Sequence, residues 1–314
     1  MNSLVSLKCI SDNWLISVRR EVKYSTFQRY RFIVNKYLLH EFGNIHITKI
    51  CVTDIKNYFD CLSHNLKYNS VNCILQVFKN IFRYAVKTGV ELNLSVFKSV
   101  SLLKSKTTVS TISSTEARRL NQYLMENLSL KSIGVMLALN CGLRLGEICA
   151  LKCGKINLRQ KIIFIDSAVQ RLKTDSGKTR IMLSEPKTNN SVRMVPIPDS
   201  LCRIIKKIKA DNSFFLISGT DKVIEPRRMQ YYFSSLCEKV LRRRIKFHDL
   251  RHTYATLLLS KGMDVKVVSE VLGHSNVNVT LNYYRGVNAD DLLKIGRTIN
   301  KSILCSNGTD ETPT

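Results

Sequence analysis

Apolar positions in this chain recur at helical spacing through its first and last thirds. They alternate only in a short stretch just past the middle. STFQRYRFIVNKYLLHEFG predicts a helix capped by Ser25, with Tyr30, Ile33, Val34, Tyr37 and Leu38 on one side and Gly43 beyond its end. VTDIKNYFDCLSH predicts a second helix, capped by Thr53. NSVNCILQVFKNIFRYAVKTG predicts a third, capped by Asn69 or Ser70 and stopped by Gly89. Arg29, Arg31, Lys36, Lys79, Arg83 and Lys87 interrupt the polar faces, so a compact, basic helical domain is expected over residues 1–106. From about 93 to 112 the period fades into SVFKSVSLLKSKTTVSTI, which reads as an extended basic linker, with the domain boundary near 107.

A second domain, 107–304, opens on SSTEARRLNQYL, where Ser113 and Glu116 fit a capping box. KSIGVMLALN predicts an apolar helix broken at Cys141-Gly142. KIIFID, SAVQRLK, TRIMLS and SVRMVPIP then read as strands, with a turn at EPKTNNS. Helices return in DSLCRIIKKIKA, EPRRMQYYFSSLCEKV, HDLRHTYATLLLSKG, DVKVVSEVLG and a segment running into TLNYY. A last helix, NADDLLKIGRTINKSIL, precedes a polar tail, 305–314, expected to be disordered. The expected fold class is mainly α with a small antiparallel β-sheet.

Charge narrows the function. Lys and Arg number 49 against 24 Asp and Glu, a formal net charge of +25, which favours a polyanion as partner and nucleic acid first among them. The opening MNSLVSLKCISDNW lacks a basic stretch followed by a sustained apolar run, and no segment is apolar for long enough to span a bilayer. The ten cysteines contain no CxxC pair and read as reduced thiols. Together these predict a cytoplasmic protein with no membrane partner.

Four places in the second domain carry cationic or titratable groups that a fold could converge. Arg144 follows the helix break in CGLRLGE. In HDLRH, His248 and Arg251 stand three apart on one helix face. Leu250, Tyr254, Leu257 and Leu258 are expected on the buried face, leaving His248 and Arg251 pointing out of the core. His274 follows Gly273 at a helix end in LGHS. Tyr283 and Tyr284 come last. Arginine forks match phosphate oxygens and stay charged at any working pH. Histidine moves protons near neutrality. A phenol becomes a usable nucleophile when cations stabilise its anion. The set points to phosphodiester chemistry that needs neither metal nor cofactor. The alternative for each residue taken singly is a surface charge, a structural histidine or a core aromatic.

GLRLGE, HDLRH, LGHS and TLNYY, in this order and spacing, resemble the tyrosine recombinase (phage integrase) family, and the similarity extends over nearly the whole chain. The resemblance implies a SAM-like, helical core-binding domain followed by an α+β catalytic domain. It also implies that Arg144, His248, Arg251 and His274 bind and activate a scissile phosphate. Glu147 would brace the site, against the plain alternative of a surface carboxylate. The family's general-acid lysine lies on a β-hairpin; EPKTNNSVRMVPIP matches that hairpin and selects Lys187, with Lys178 in SGKTR as the alternative.

For the nucleophile, helical spacing places Val277, Thr280, Leu281 and Tyr284 on one face, and the family's TLNxY-type ending also selects Tyr284; some relatives' spacing would select Tyr283. Gly286 stands where many relatives carry a histidine. The implied activity is site-specific recombination through a 3′-phosphotyrosine, serving a mobile element or DNA inversion. The implied partners are double-stranded DNA, a homotetramer on paired sites, and an accessory DNA-bending or directionality factor. The helix NADDLLKIGRTINKSIL would dock on a neighbouring protomer, or else pack within its own chain. A type IB topoisomerase-like relaxase and a DNA-binding protein without catalysis are the competing classes.

Overall fold

A computed structural model of the chain describes residues 6–97, 100, 112–174, 178–184, 192–208, 211–273, 295, 296 and 299. Two compact units divide it, residues 1–107 and 108–314.

The first unit contains α1 (Leu7–Val18), α2 (Tyr24–Ile33), α3 (Leu39–Phe42), α4 (Val52–Asn65) and α5 (Tyr68–Lys87). α1 adds to the three helices expected from sequence. Its Leu7, Ile10, Trp14 and Val18 are buried at helical spacing, and the Ser6 hydroxyl accepts from Cys9 N at its start. The expected caps at Ser25, Thr53 and Asn69 or Ser70 are corrected. α2, α4 and α5 begin earlier, at Tyr24, Val52 and Tyr68, which leaves those polar residues inside first turns. In α4 the Asp54 carboxylate does the capping instead, accepting from Cys51 N at 3.0 Å a bond the helix cannot make internally. Between α2 and α3 the backbone widens into a π-helical stretch, Val34–Leu38, whose two end residues are fully buried.

α5 carries the densest apolar face of this unit, including Val71, Ile74, Phe78, Ile81 and Phe82. The expected start of the linker is also corrected. Leu94–Phe97 forms a 3-10 turn, and the buried Phe97 ring stands edge-on to Phe78 and Phe82 at 5.7 and 5.0 Å. Burying a ring of this size stabilises by about 2–3 kcal/mol, which offsets part of the segment's conformational entropy.

In the second unit, α6 (Ser114–Glu126) has the expected box: Glu116 N donates to Ser113 Oγ, and Ser113 N donates to the Glu116 carboxylate at 2.8 Å. α7 (Leu130–Cys141) is buried from Ser132 onward and ends at Gly142, whose φ is +67°. After α8 (Leu145–Ala150) come β1 (Ile156–Asn157), β2 (Ile162–Ile165), β3 (Ala168–Lys173), β4 (Thr179–Ser184) and β5 (Arg193–Pro196). β1, β2 and β5 form one antiparallel sheet in that order, and β3 pairs with β4 in another.

The registers nest. Ile165 pairs with Arg193 and, further out, Ala168 pairs with Ser184, so the two sheets lie along one interrupted ribbon. Its tip lies between Lys173 and Thr179. This corrects the expected strand pairing: β4 pairs with β3 and β5 with β2, not with each other, and the EPKTNNS turn, 185–191, lies outside the described residues.

α9 (Asp199–Ile208), α10 (Pro226–Leu241), α11 (Phe247–Ser260) and α12 (Val265–Leu272) complete the described elements. Met229, Phe233, Leu250, Tyr254, Leu258 and Val271 join the buried faces of α7 and the sheet in one core. Ile295 and Ile299 are buried in that same core, so this part of the last expected helix packs within its own chain. Among the described residues no helix is long and apolar enough to cross a membrane.

Candidate active site

The site is assembled where three helix ends meet. α7 terminates at Gly142 in the left-handed region, where a Cβ would lie 2.6 Å from the Tyr254 ring and 2.7 Å from Leu272, so only glycine fits. The turn leads through buried Leu143 to Arg144, the residue preceding α8. Gly146 then lets α8 approach β3 closely; a Cβ there would lie 2.6 Å from the Val169 carbonyl oxygen.

Glu147, one turn into α8, organises what surrounds it. Arg144 N donates to Glu147 Oε2 at 2.8 Å, and Arg144 Nη1 donates to Oε1 at 2.7 Å. Arg193 on β5 adds a two-pronged pair, Nη1 to Oε1 at 3.0 Å and Nη2 to Oε2 at 2.9 Å. Glu147 is 5% exposed, which rules out the surface-carboxylate alternative. Burial pushes its pKa up, but the hydrogen bonds and charge of Arg193, then of Arg144, outweigh that and hold it at about 2.

α12 supplies the other wall. Its last turn and its cap offer three successive carbonyls, which a helix end leaves without internal partners. Val271 O accepts from Arg193 Nε at 2.6 Å, Leu272 O accepts from Arg251 Nη2, and Gly273 O accepts from Arg144 Nη2 at 2.6 Å. Arg251 also donates Nη1 to Gly142 O, at the end of α7, at 2.7 Å. The negative ends of two helix dipoles thus face a guanidinium.

Arg251 is 2% exposed, which corrects the expectation that it points out of the core beside His248. Leu250 and Tyr254 flank it in the same buried layer, and carbonyls rather than water solvate its charge. Burial, then the nearby Arg144 and Arg193, lower its pKa to about 9, still protonated at neutral pH. Both of these acceptors are neutral, so its positive charge remains available to an anion.

His248 sits in the first turn of α11, exposed, with its ring edge-on to His252 at 4.8 Å. Its pKa is lowered by partial withdrawal from water, then by His252, Arg251 and Arg144, with Asp249 opposing. His248 stands three residues before Arg251 on α11, on the turn that leads to it.

Arg144, Arg251 and His248 are therefore brought to one place. Lys187, His274, Tyr283 and Tyr284 lie outside the described residues; His274 directly follows Gly273 in the chain. Lys178 is exposed at the ribbon's tip, where its carbonyl accepts from Thr174 N and Oγ1. Arg193 was not anticipated. It shares strand parity with buried Val195, and an arginine on an inward-facing strand position was the available signal.

Comparison with known proteins agrees with this architecture. The phage integrase family matches residues 110–290, and the N-terminal SAM-like domain of phage integrases matches residues 6–63. A tyrosine recombinase XerC-like protein of Caldanaerobacter subterraneus subsp. tengcongensis is 28% identical, covering 90% of this chain and 80% of its own. The ICEBs1 integrase of Bacillus subtilis is 24% identical, covering 89% and 78%. The integrase of transposon Tn1549, solved in complex with transposon right-end DNA, superposes with a TM-score of 0.69 at 19% identity, covering 91% of this chain and 97% of that one, a likeness of fold. The chain belongs to the phage integrase family of tyrosine recombinases, enzymes of site-specific DNA recombination.

Proposed function

We propose that Tyr284 attacks a phosphate of double-stranded DNA held by Arg144 and Arg251. The phenolic oxygen bonds to phosphorus, the bond from phosphorus to the 5′-oxygen breaks, and Lys187 gives that oxygen its proton. The 3′-phosphotyrosine keeps the energy of the phosphodiester, so a 5′-hydroxyl from a partner strand reverses the step at a new junction without ATP. His248 accepts the phenolic proton as the new bond forms, and His274 hydrogen-bonds the phosphate. Charge builds on the non-bridging oxygens as the bonds exchange, which is where fixed guanidinium groups act most strongly.

One observation carries this: Arg144 and Arg251 are anchored to the carbonyls of successive residues, Gly273 O and Leu272 O, so two cations are held at one turn. Neither bond neutralises its arginine. Arg144 and Arg193 share the one carboxylate of Glu147 while Arg251 donates to carbonyls, so the cluster keeps positive charge for an anion.

Relatives from mobile elements support a role in integration or excision, and the integrases solved on DNA, some as dimers or tetramers, support an oligomer acting on paired sites. An accessory DNA-bending or directionality factor belongs to the same proposal. The test is covalent trapping. Protein and nicked DNA carrying candidate target sites are mixed in EDTA and run on a denaturing gel. A DNA-linked protein band is expected; tight binding with no such band on any bound DNA would leave a binding protein instead.

A further inference from the structure

Arg193 takes no direct part in the chemistry proposed above, yet it is heavily engaged. It is 8% exposed, clasps both oxygens of Glu147, and donates Nε to Val271 O. Glu147 faces Arg193 from β5 and Arg144 from its own helix. It also borders a cavity of about 260 Å³ whose other charged lining residues are Lys152, Lys155 and Asp166, the last two paired with each other.

Arg193 and Arg144 thus share one buried negative charge. Arg193 meets it in a planar, two-pronged geometry, whereas Arg144 spends a single side-chain donor on it and a third of its side chain stays exposed, at 34%. A buried carboxylate stripped of one partner carries a large penalty and recruits the nearest remaining cation. Here that cation is Arg144.

We infer that Arg193 is a positioning residue: by neutralising Glu147 it leaves the charge of Arg144 available to the scissile phosphate. The inference rests on the phosphotyrosine chemistry proposed above. Arg193 acts through Glu147, so its removal weakens Arg144 without touching the DNA. The low pKa of Glu147, set first among its favourable partners by Arg193, agrees with this.

The experiment is single-turnover cleavage of nicked target DNA by the full chain, with DNA affinity and thermal melting measured alongside. The variants are Arg193→Met, Arg193→Lys, Glu147→Gln and the double variant Glu147→Gln/Arg193→Met. Arg193→Met is expected to cleave about 100-fold more slowly, the scale of losing one transition-state donor, with little change in DNA affinity. Arg193→Lys recovers part of the rate, because the charge returns without the fork. The double variant cleaves about as fast as Glu147→Gln alone and at least about tenfold faster than Arg193→Met, since no buried carboxylate then competes for Arg144.

Arg193→Met should also gain rate relative to wild type as pH is lowered from mildly alkaline to mildly acidic. Without Arg193 the Glu147 pKa rises, and protonation releases Arg144. The double variant lacks the carboxylate and should show no such gain, which a purely structural role for Arg193 does not predict.

Wild-type speed in Arg193→Met would overturn the inference, as would a double variant far slower than Glu147→Gln. The second comparison stands even if Arg193→Met fails to fold. A wild type that makes no covalent adduct would sink the phosphotyrosine proposal and this inference together. A wild type that cleaves, with Arg193→Met its equal, would sink only the inference.

Discussion

Arg144 and Arg251 donate to neighbouring carbonyls of one turn, Gly273 O and Leu272 O, although 107 positions of sequence separate them (251 − 144 = 107). A left-handed glycine makes this possible. With φ at +63°, Gly273 ends α12 and turns its last carbonyls toward the arginines. The residue that follows in sequence is His274, an expected site residue that lies outside the described residues.

Replacing Arg251 by lysine keeps one positive charge but cannot span the two carbonyls of Gly142 and Leu272. The cleavage rate is expected to fall by about 10²–10³-fold, the cost of losing a fixed donor to a developing oxyanion. Single-turnover kinetics on nicked DNA measures this. DNA affinity should change far less, because phosphate contacts spread over a basic chain supply most of it.

Gly142→Ala tests how tightly the site is built. The added methyl must fit 2.6 Å from the Tyr254 ring and adopt a left-handed backbone. The two costs are about 1 kcal/mol for the backbone and about 1–3 kcal/mol for overpacking, so denaturant unfolding should show a loss of roughly 2–4 kcal/mol.

Acid stability should depend on Glu147. Its carboxyl titrates at about 2 in the folded chain against an ordinary 4.5, so the folded state favours the charged form. Its contribution is fully present above pH 4.5 and is lost as pH falls toward about 2. The shift corresponds to about 3 kcal/mol at 1.36 kcal/mol per unit. Unfolding measured against pH should show this loss in wild type and a shallower slope over that window in Glu147→Gln.

Phe97→Ala should cost about 3 kcal/mol or more, as a buried ring packed on Phe78 and Phe82 would. A surface linker residue would cost almost nothing. Denaturant unfolding of the full chain, followed by a probe in the first unit such as Trp14, decides between them.

These residues also mark what could be read from sequence. Ser113, Glu116 and Gly142 act at close range, through a cap and a positive φ, and local pattern was enough to find them. Phe97 looked like linker because a single turn has too few residues to show a period; its burial comes from α5, far back in the chain. Arg251 was assigned to an exposed face because helical spacing describes one helix alone. The carbonyls that solvate it belong to α7 and α12. Arg193 escaped for the same reason, since its partner Glu147 lies 46 positions away. The pairing of Ala168–Lys173 with Thr179–Ser184 is not legible locally, because turn-forming residues mark breaks in a strand as readily as hairpin tips.

The proposed chemistry requires that DNA become covalently joined to Tyr284. The direct measurement is the denaturing-gel trap run on wild type, Tyr284→Phe and Tyr283→Phe in parallel, with the linked peptide identified by mass spectrometry. An adduct is expected in wild type and Tyr283→Phe, its absence in Tyr284→Phe, and DNA on the peptide at Tyr284. An adduct that survives in Tyr284→Phe and vanishes in Tyr283→Phe would contradict this expectation.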